Sequence, residues 1–335
     1  MECIYNLSVC TRKVGSEEHT ILQSLGGRKV SKNICCEKCN NFLGAEIDEP
    51  FSNRFSELCA IIDVKRQRNK KSIIIKSIFE SDGVTFDFSK STLIPSRYPA
   101  NKITTINDNL SCVEIIRSSE KDVENLLNNV LRSSDFKNAS IIRMDVSSIS
   151  KIVSQKSRWD FNFSILDFRS VAKTLLTELS TCIPNDALRC GNYKDIINFI
   201  SGFELNDRKY MRPVHANNLP YREKLGIFQH TAYIRLIPGM GCLGVLSLFN
   251  TFTFAVVLSE IWEGQDYLAI HMVDPTTGQT ETVKLDNMFE ESINDWTTWL
   301  YSDQELAIWE SNPLFFKRES LNKFFIHSNG AVTEL

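Results

Sequence analysis

Net charge is almost absent from this chain: 38 Lys and Arg against 41 Asp and Glu leave −3 at pH 7. A polycationic surface covering the whole molecule, the usual signature of a general nucleic-acid binder, is excluded. Internal repeats and low-complexity segments are also missing, which excludes solenoids and disordered arrays. No glycine-rich loop precedes a helix, and no G-x-S-x-G elbow occurs, so two common phosphate- and acyl-transfer architectures drop out. A basic leader is lacking, since Glu2 stands where a signal peptide has Lys or Arg and the apolar run after it is short. This predicts a cytoplasmic protein. The longest uncharged run, "LIPGMGCLGVLSLFNTFTFAVVLS" from Leu236 to Ser259, contains Pro238, three glycines and Asn250. That composition predicts two buried strands joined by a turn rather than a membrane span.

What remains is an ordinary globular balance, 42% hydrophobic and 24% charged. Length suggests at least two domains. The expected fold class is α+β, with segregated helices and strands and no regular βαβ alternation. A cysteine-rich unit is expected over 1–65, a basic linker over 66–71 ("RQRNKK") and a larger mixed region over 72–335, subdivided near 150. The first 71 residues carry 12 Lys and Arg against 9 Asp and Glu, so the N-terminal piece is the more basic one. Phe51, Phe55, Leu58 and Ile62 recur at helical spacing, with a helix start near Asp48–Pro50. Further on, "SIIIKSIF" and "GVTFDF" flank Asp82-Gly83 as a hairpin. Helices are expected in "SEKDVENLLNNVLRS", in "LDFRSVAKTLLTELSTCI" and in "NYKDIINFISGF". Strands should dominate from Phe228 to Val283, and the tail from Asp303 to Ser328 should be helical in pieces.

The chemistry concentrates in "SEEHTILQSLGGRKVSKNICCEKCNN", Ser16 to Asn41. Ten cysteines in a reducing compartment point to metal ligation sooner than to disulfides. Cys36 and Cys39 have the C-x2-C spacing that brings two sulfurs to one zinc. Cys3 and Cys10 upstream could complete four thiolates, with Cys35 as a substitute ligand. On spacing alone, a reduced pair in a turn is the lesser alternative reading of Cys36 and Cys39. His19 can take a proton from water near neutral pH, and Glu18 beside it can hold a divalent cation. Asn40 follows the second knuckle cysteine directly, where its amide oxygen suits a hard cation.

In this order and spacing, "EEHTILQSLGG…N…CEKCNNFLGAEIDEPF" resembles an HNH endonuclease of the zinc-knuckle, ββα-metal type, over about the first 60 residues. The resemblance implies a metal-dependent endonuclease that cuts or nicks double-stranded DNA, in bacterial defence or a mobile element. It implies that His19 is the general base and that Asn33 braces the loop carrying it. Glu18 and Asn40 would hold one catalytic Mg²⁺ or Mn²⁺, and Cys3, Cys10, Cys36 and Cys39 a structural Zn²⁺. Phosphate contacts would come from Arg28, Lys29, Lys32, Lys65, Arg66, Arg68, Lys70 and Lys71. The sequence departs from the family in having C-x6-C for the first pair, and Asn40 where His is common.

Residues 72–335 carry no family signature and are expected to receive DNA, a protein partner or an activating ligand. His271 with Asp274, in "HMVDP", would form a site only if both faced a cleft. Trp159 could stack on a base. Two other functions fit the same residues. One is a non-catalytic zinc-knuckle nucleic-acid-binding protein, and the other an RNA-cleaving nuclease.

Overall fold

The structure is a computed structural model. It describes residues 2–66, 73–81, 83–89, 92–99, 101–107, 110–117, 119–132, 163–184, 186–206, 209–212, 214–215, 218–286, 299–300, 324–326 and 332–334. Arg68, Lys70, Lys71 and Trp159 lie outside the described residues, as does most of the tail expected to be helical, whose described part, Phe324–Ile326, is instead a strand paired antiparallel with Val332–Glu334. The chain divides into two compact units, Met1–Ile73 with Asn162–Leu335, and Ile74–Phe161.

The first unit begins with a small ββα module. Strands β1 (Glu18–His19) and β2 (Val30–Ser31) pair antiparallel, Glu18 opposite Ser31 and His19 opposite Val30. The turn between them needs its Gly-Gly pair. Gly26 is left-handed at φ 97°, and a Cβ on Gly27 would lie 1.7 Å from the Ile21 carbonyl oxygen. Helix α1 (Glu37–Leu43) is capped by Cys36 and runs on through a π-helical turn, Gly44–Asp48, into α2 (Glu49–Asn53), with α3 (Ser56–Ile61) following. The helix therefore starts at the second knuckle, not at Asp48–Pro50. Pro50 sits in the first turn of α2, where its missing N–H is tolerated.

The second unit, described by itself, holds a three-stranded sheet of β3 (Ile75–Ser81), β4 (Val84–Ser89) and β5 (Thr92–Arg97). It also holds the hairpin β6 (Lys102–Asn107) and β7 (Leu110–Glu114), and helix α4 (Glu120–Leu131). The hairpin read at Asp82-Gly83 is β3–β4. The Ser119 hydroxyl caps α4 by accepting the Asp122 N–H at 3.2 Å.

The first unit resumes with α5 (Ile165–Leu179) and α6 (Lys194–Ser201), then strands β8 (Met211–Arg212), β9 (His230–Ile237), β10 (Gly241–Leu248), β11 (Phe252–Ser259), β12 (Tyr267–Val273) and β13 (Thr280–Asp286). They form an antiparallel sheet in the order β13-β12-β9-β10-β11-β8. The uncharged run is β10 and β11, joined where Phe249 and Asn250 both take positive φ, the geometry of a tight hairpin turn. No helix among the described residues is long and apolar enough to cross a membrane.

Helix α5 lies between this sheet and the N-terminal module, and nearly every side chain on it is buried. Leu175 packs on Gly244 of β10, where an added Cβ would meet its Cβ at 3.0 Å. On the other side Phe51 and Phe55 of the module join Phe163, Phe249, Phe252 and Phe254, with ring centroids 5.0–6.4 Å apart. Each buried ring contributes about 1.5–3 kcal/mol, which fixes the module on this face. His230 of β9 adds a polar tie. Its Nε2–H donates to the Leu25 carbonyl at 2.9 Å, while Nδ1 accepts the Phe249 N–H at 2.9 Å.

Candidate functional site: a cysteine cluster beside a carboxylate cleft

The sulfurs of Cys3, Cys10, Cys36 and Cys39 all lie within 4.8 Å of one another. Cys10 and Cys36 are 3.8 Å apart. Four thiolates each about 2.3 Å from a tetrahedral zinc stand about 3.8 Å apart, so the donor set and spacing fit Zn²⁺. All four are free thiols. The six residues between Cys3 and Cys10 do not spoil the site, because the backbone folds them into a closed loop. Glu2 bridges to Lys13, the Cys3 N–H donates to the Arg12 carbonyl at 2.6 Å, and Asn6 and Arg12 take positive φ to turn the chain. Backbone N–H groups of Thr11 and Cys39 both point at Cys36 Sγ at 3.5 Å. Against the opposing effect of burial, these contacts bring the Cys36 thiol down to about 6. Cys35 belongs elsewhere. Its thiol faces the Glu18 carboxylate at 3.9 Å, and burial together with that charge pushes it well up.

Asn40 sits one residue after this cluster on α1. Its Nδ2 donates to Ser16 Oγ at 2.9 Å and to the Glu17 carbonyl at 3.1 Å, stitching the helix to the start of β1. Asn40, Glu18 and His19 line one cleft of about 390 Å³, together with Glu17, Asp48, Glu49 and Arg66. Carboxylate and amide oxygens are the donors a hard divalent cation takes. Asn33 is not on that cleft. It lies in the turn after β2, and its carbonyl accepts Arg189 Nη2 at 3.0 Å.

The surroundings of Glu18 are unusual. The side chain is 4% exposed, and its Oε1 accepts from Lys173 Nζ of α5 at 2.6 Å. Lys173 is 1% exposed and also donates to Asp48 Oδ2 at 2.5 Å. Asp48 Oδ1 accepts Ser170 Oγ at 2.6 Å. Burial raises the Glu18 carboxyl above its ordinary value, and Lys173 restrains that rise. Burial alone would discharge Lys173, but Asp48 and Glu18 outweigh it and hold the ammonium. Arg54 with Asp167 at 2.6 Å, and Ser31 with Ser180 at 2.8 Å, extend the same contact along α5.

Residues 3–56 match the HNH endonuclease family. No curated protein and no solved structure matches the chain. The HNH module thus occupies the segment carrying the cysteine cluster and the cleft, and the likeness suggests a nuclease that engages nucleic acid.

The basic side chains separate by environment. Lys29 pairs with Glu178, whose side chain is fully buried, so it belongs to the contact with α5. Lys32 stays at the surface, 3.2 Å from Glu17. Arg28 packs over Gly278, and Lys65 pairs with Asp63. Arg66 alone of these reaches the cleft. His271 and Asp274 do not share one: His271 Nδ1 lies 3.0 Å from Thr282 Oγ1, and Asp274 accepts from Thr276 and Thr277 in its own turn. Asp48 and Lys173 were missed in the sequence. Asp48 sits three residues before the aromatic stripe that begins at Phe51, and Lys173 is one polar residue on an amphipathic helix, so neither carries a local signal.

Proposed function

We propose that the protein is a metal-dependent endonuclease that hydrolyses DNA phosphodiester bonds, cutting or nicking the duplex. The observation that carries this is the convergence of His19, Glu18 and Asn40 on one cleft beside the four-cysteine cluster.

His19 is the general base that takes the proton from the attacking water. Glu18 and Asn40 would hold Mg²⁺ or Mn²⁺, which when bound neutralises charge developing on the phosphate oxygens. Asn40 is pre-positioned by its two bonds to Ser16 and Glu17, just before β1, so little order remains to be gained at the reaction. Arg66 at the rim and Lys32 on the outer surface contact the phosphate backbone. Asn33 acts from behind, holding the turn after β2 through its carbonyl bond to Arg189. The cysteine cluster with zinc gives the module the rigidity that so short a segment cannot draw from its own core. The remaining parts of residues 72–335 receive a partner or activating ligand, and the protein acts in the cytoplasm, in bacterial defence or a mobile element.

One observation favours the second reading, a non-catalytic nucleic-acid-binding protein: both Glu18 oxygens are engaged, by Lys173 and by Cys35. The readings separate on matched DNA and RNA duplexes with and without Mn²⁺. Cleavage of DNA supports the proposal, cleavage of RNA alone redirects the substrate, and a gel shift without any cleavage in Mn²⁺, by the wild type and by a Lys173→Met variant freed of the ammonium on Glu18, refutes catalysis.

A further inference from the structure

Two carboxylates at one wall of the cleft are held by a single buried ammonium. Lys173 Nζ bridges Glu18 Oε1 at 2.6 Å and Asp48 Oδ2 at 2.5 Å. The other oxygen of each carboxylate is also engaged, Glu18 Oε2 by Cys35 at 3.9 Å and Asp48 Oδ1 by Ser170 at 2.6 Å. Lys173 comes from α5, far from the HNH module in sequence and outside the segment that matches the family. An ammonium and a divalent cation compete for these oxygens, because like charges at that distance repel strongly around a buried ammonium, where the effective dielectric is low. The ammonium has the charge sign and the ligands that the catalytic cation would need.

We propose that Lys173 is a built-in counter-cation, so that the conformation described here is a latent state in which metal loading at Glu18 requires Lys173 to let go. This rests on the nuclease reading of the cleft, but it concerns the carboxylate pair itself. The control is intramolecular: whatever shifts α5 or its lysine away from the module opens Glu18 to the cation. A ligand bound elsewhere on the first unit could bias that equilibrium only by favouring the released arrangement. The HNH module then carries its brake in the part of the chain outside the family match.

The test uses the full chain with zinc retained and Mn²⁺ as the probe, free Mn²⁺ being followed by electron paramagnetic resonance. Lys173→Met is expected to bind Mn²⁺ at least tenfold tighter than the wild type, and adding Glu18→Gln to that variant is expected to abolish the gain. Equal or weaker Mn²⁺ binding by Lys173→Met overturns the proposal. Should that variant fail to fold, the wild type decides by acetylation mapped with mass spectrometry. Saturating Mn²⁺ is expected to raise labelling of Lys173 several-fold, and unchanged labelling overturns the proposal. Neither readout needs cleavage. Tighter Mn²⁺ binding in a chain that cuts no nucleic acid would sink the nuclease reading and leave the counter-cation standing.

Discussion

Cys10 Sγ stands 3.8 Å from Cys36 Sγ, although six residues rather than two separate Cys10 from Cys3. The departure from the usual first knuckle is absorbed by the loop, not by loss of the ligand. One zinc per chain is therefore expected in protein purified without chelator. Elemental analysis should find zinc greatly reduced in Cys10→Ser and unchanged in Cys35→Ser, whose thiol faces Glu18 instead. Full zinc in Cys10→Ser would remove it from the ligand set.

Chelation should act locally before it acts globally. Zinc binding in small cysteine sites is worth about 10–16 kcal/mol and is coupled to folding. Stripping the metal is expected to speed amide exchange over residues 3–56 while β9, β10 and β12 stay protected, since that sheet has its own core around Tyr233, Val245, Ile270 and Met272. Uniform loss of protection would mean that the sheet depends on the module.

Lys29 and Lys32 look alike in the sequence and should behave differently. Removing Lys29 leaves the buried Glu178 carboxylate without its partner. Lys29→Ala should cost about 2–3 kcal/mol by urea denaturation, less than a fully buried pair because Lys29 is partly exposed. Lys32→Ala should cost under about 1 kcal/mol, as exposed pairs do. It should instead weaken DNA binding and lower the salt slope by about one. The reverse pattern would put Lys29 at the nucleic acid.

Acid should loosen the join between module and sheet through His230. Burial lowers this imidazole to about 4 against the bond to the Leu25 carbonyl, which favours the charged ring, and Nδ1 must stay unprotonated to accept the Phe249 N–H. In the unfolded chain it titrates near its ordinary value of about 6.5. Between these values the unfolded state holds more protons, so stability falls as pH falls through that window, by up to about 3 kcal/mol from this group. Denaturation at several pH values should show a shallower slope for His230→Gln than for the wild type. Identical slopes would assign the acid sensitivity elsewhere.

The N-terminal chemistry was legible because it is local. A C-x2-C knuckle, a Gly-Gly turn and Asn40 next to Cys39 are fixed by spacings of a few residues, and the structure brings Cys3, Cys10, Cys36 and Cys39 together. The strands of the long uncharged run were legible too, since Pro238 and Asn250 rule out one continuous helix. What could not be read is the burial of the polar face of α5. An amphipathic helix normally turns Asp167, Ser170, Lys173 and Glu178 to water, and only tertiary packing shows them facing Arg54, Asp48, Glu18 and Lys29. The first helix starts before Pro50 for a related reason. Pro50 reads as a beginning, but the π turn before it lets the helix run through.

The central claim is that His19 activates water in the HNH cleft. Supercoiled plasmid cleavage at saturating Mn²⁺ tests it directly, with His19→Ala compared in the wild-type and Lys173→Met backgrounds at equal zinc content. The account predicts a loss of about 10²-fold or more on removing the imidazole, the range of a general base. Undiminished cleavage by His19→Ala would contradict it.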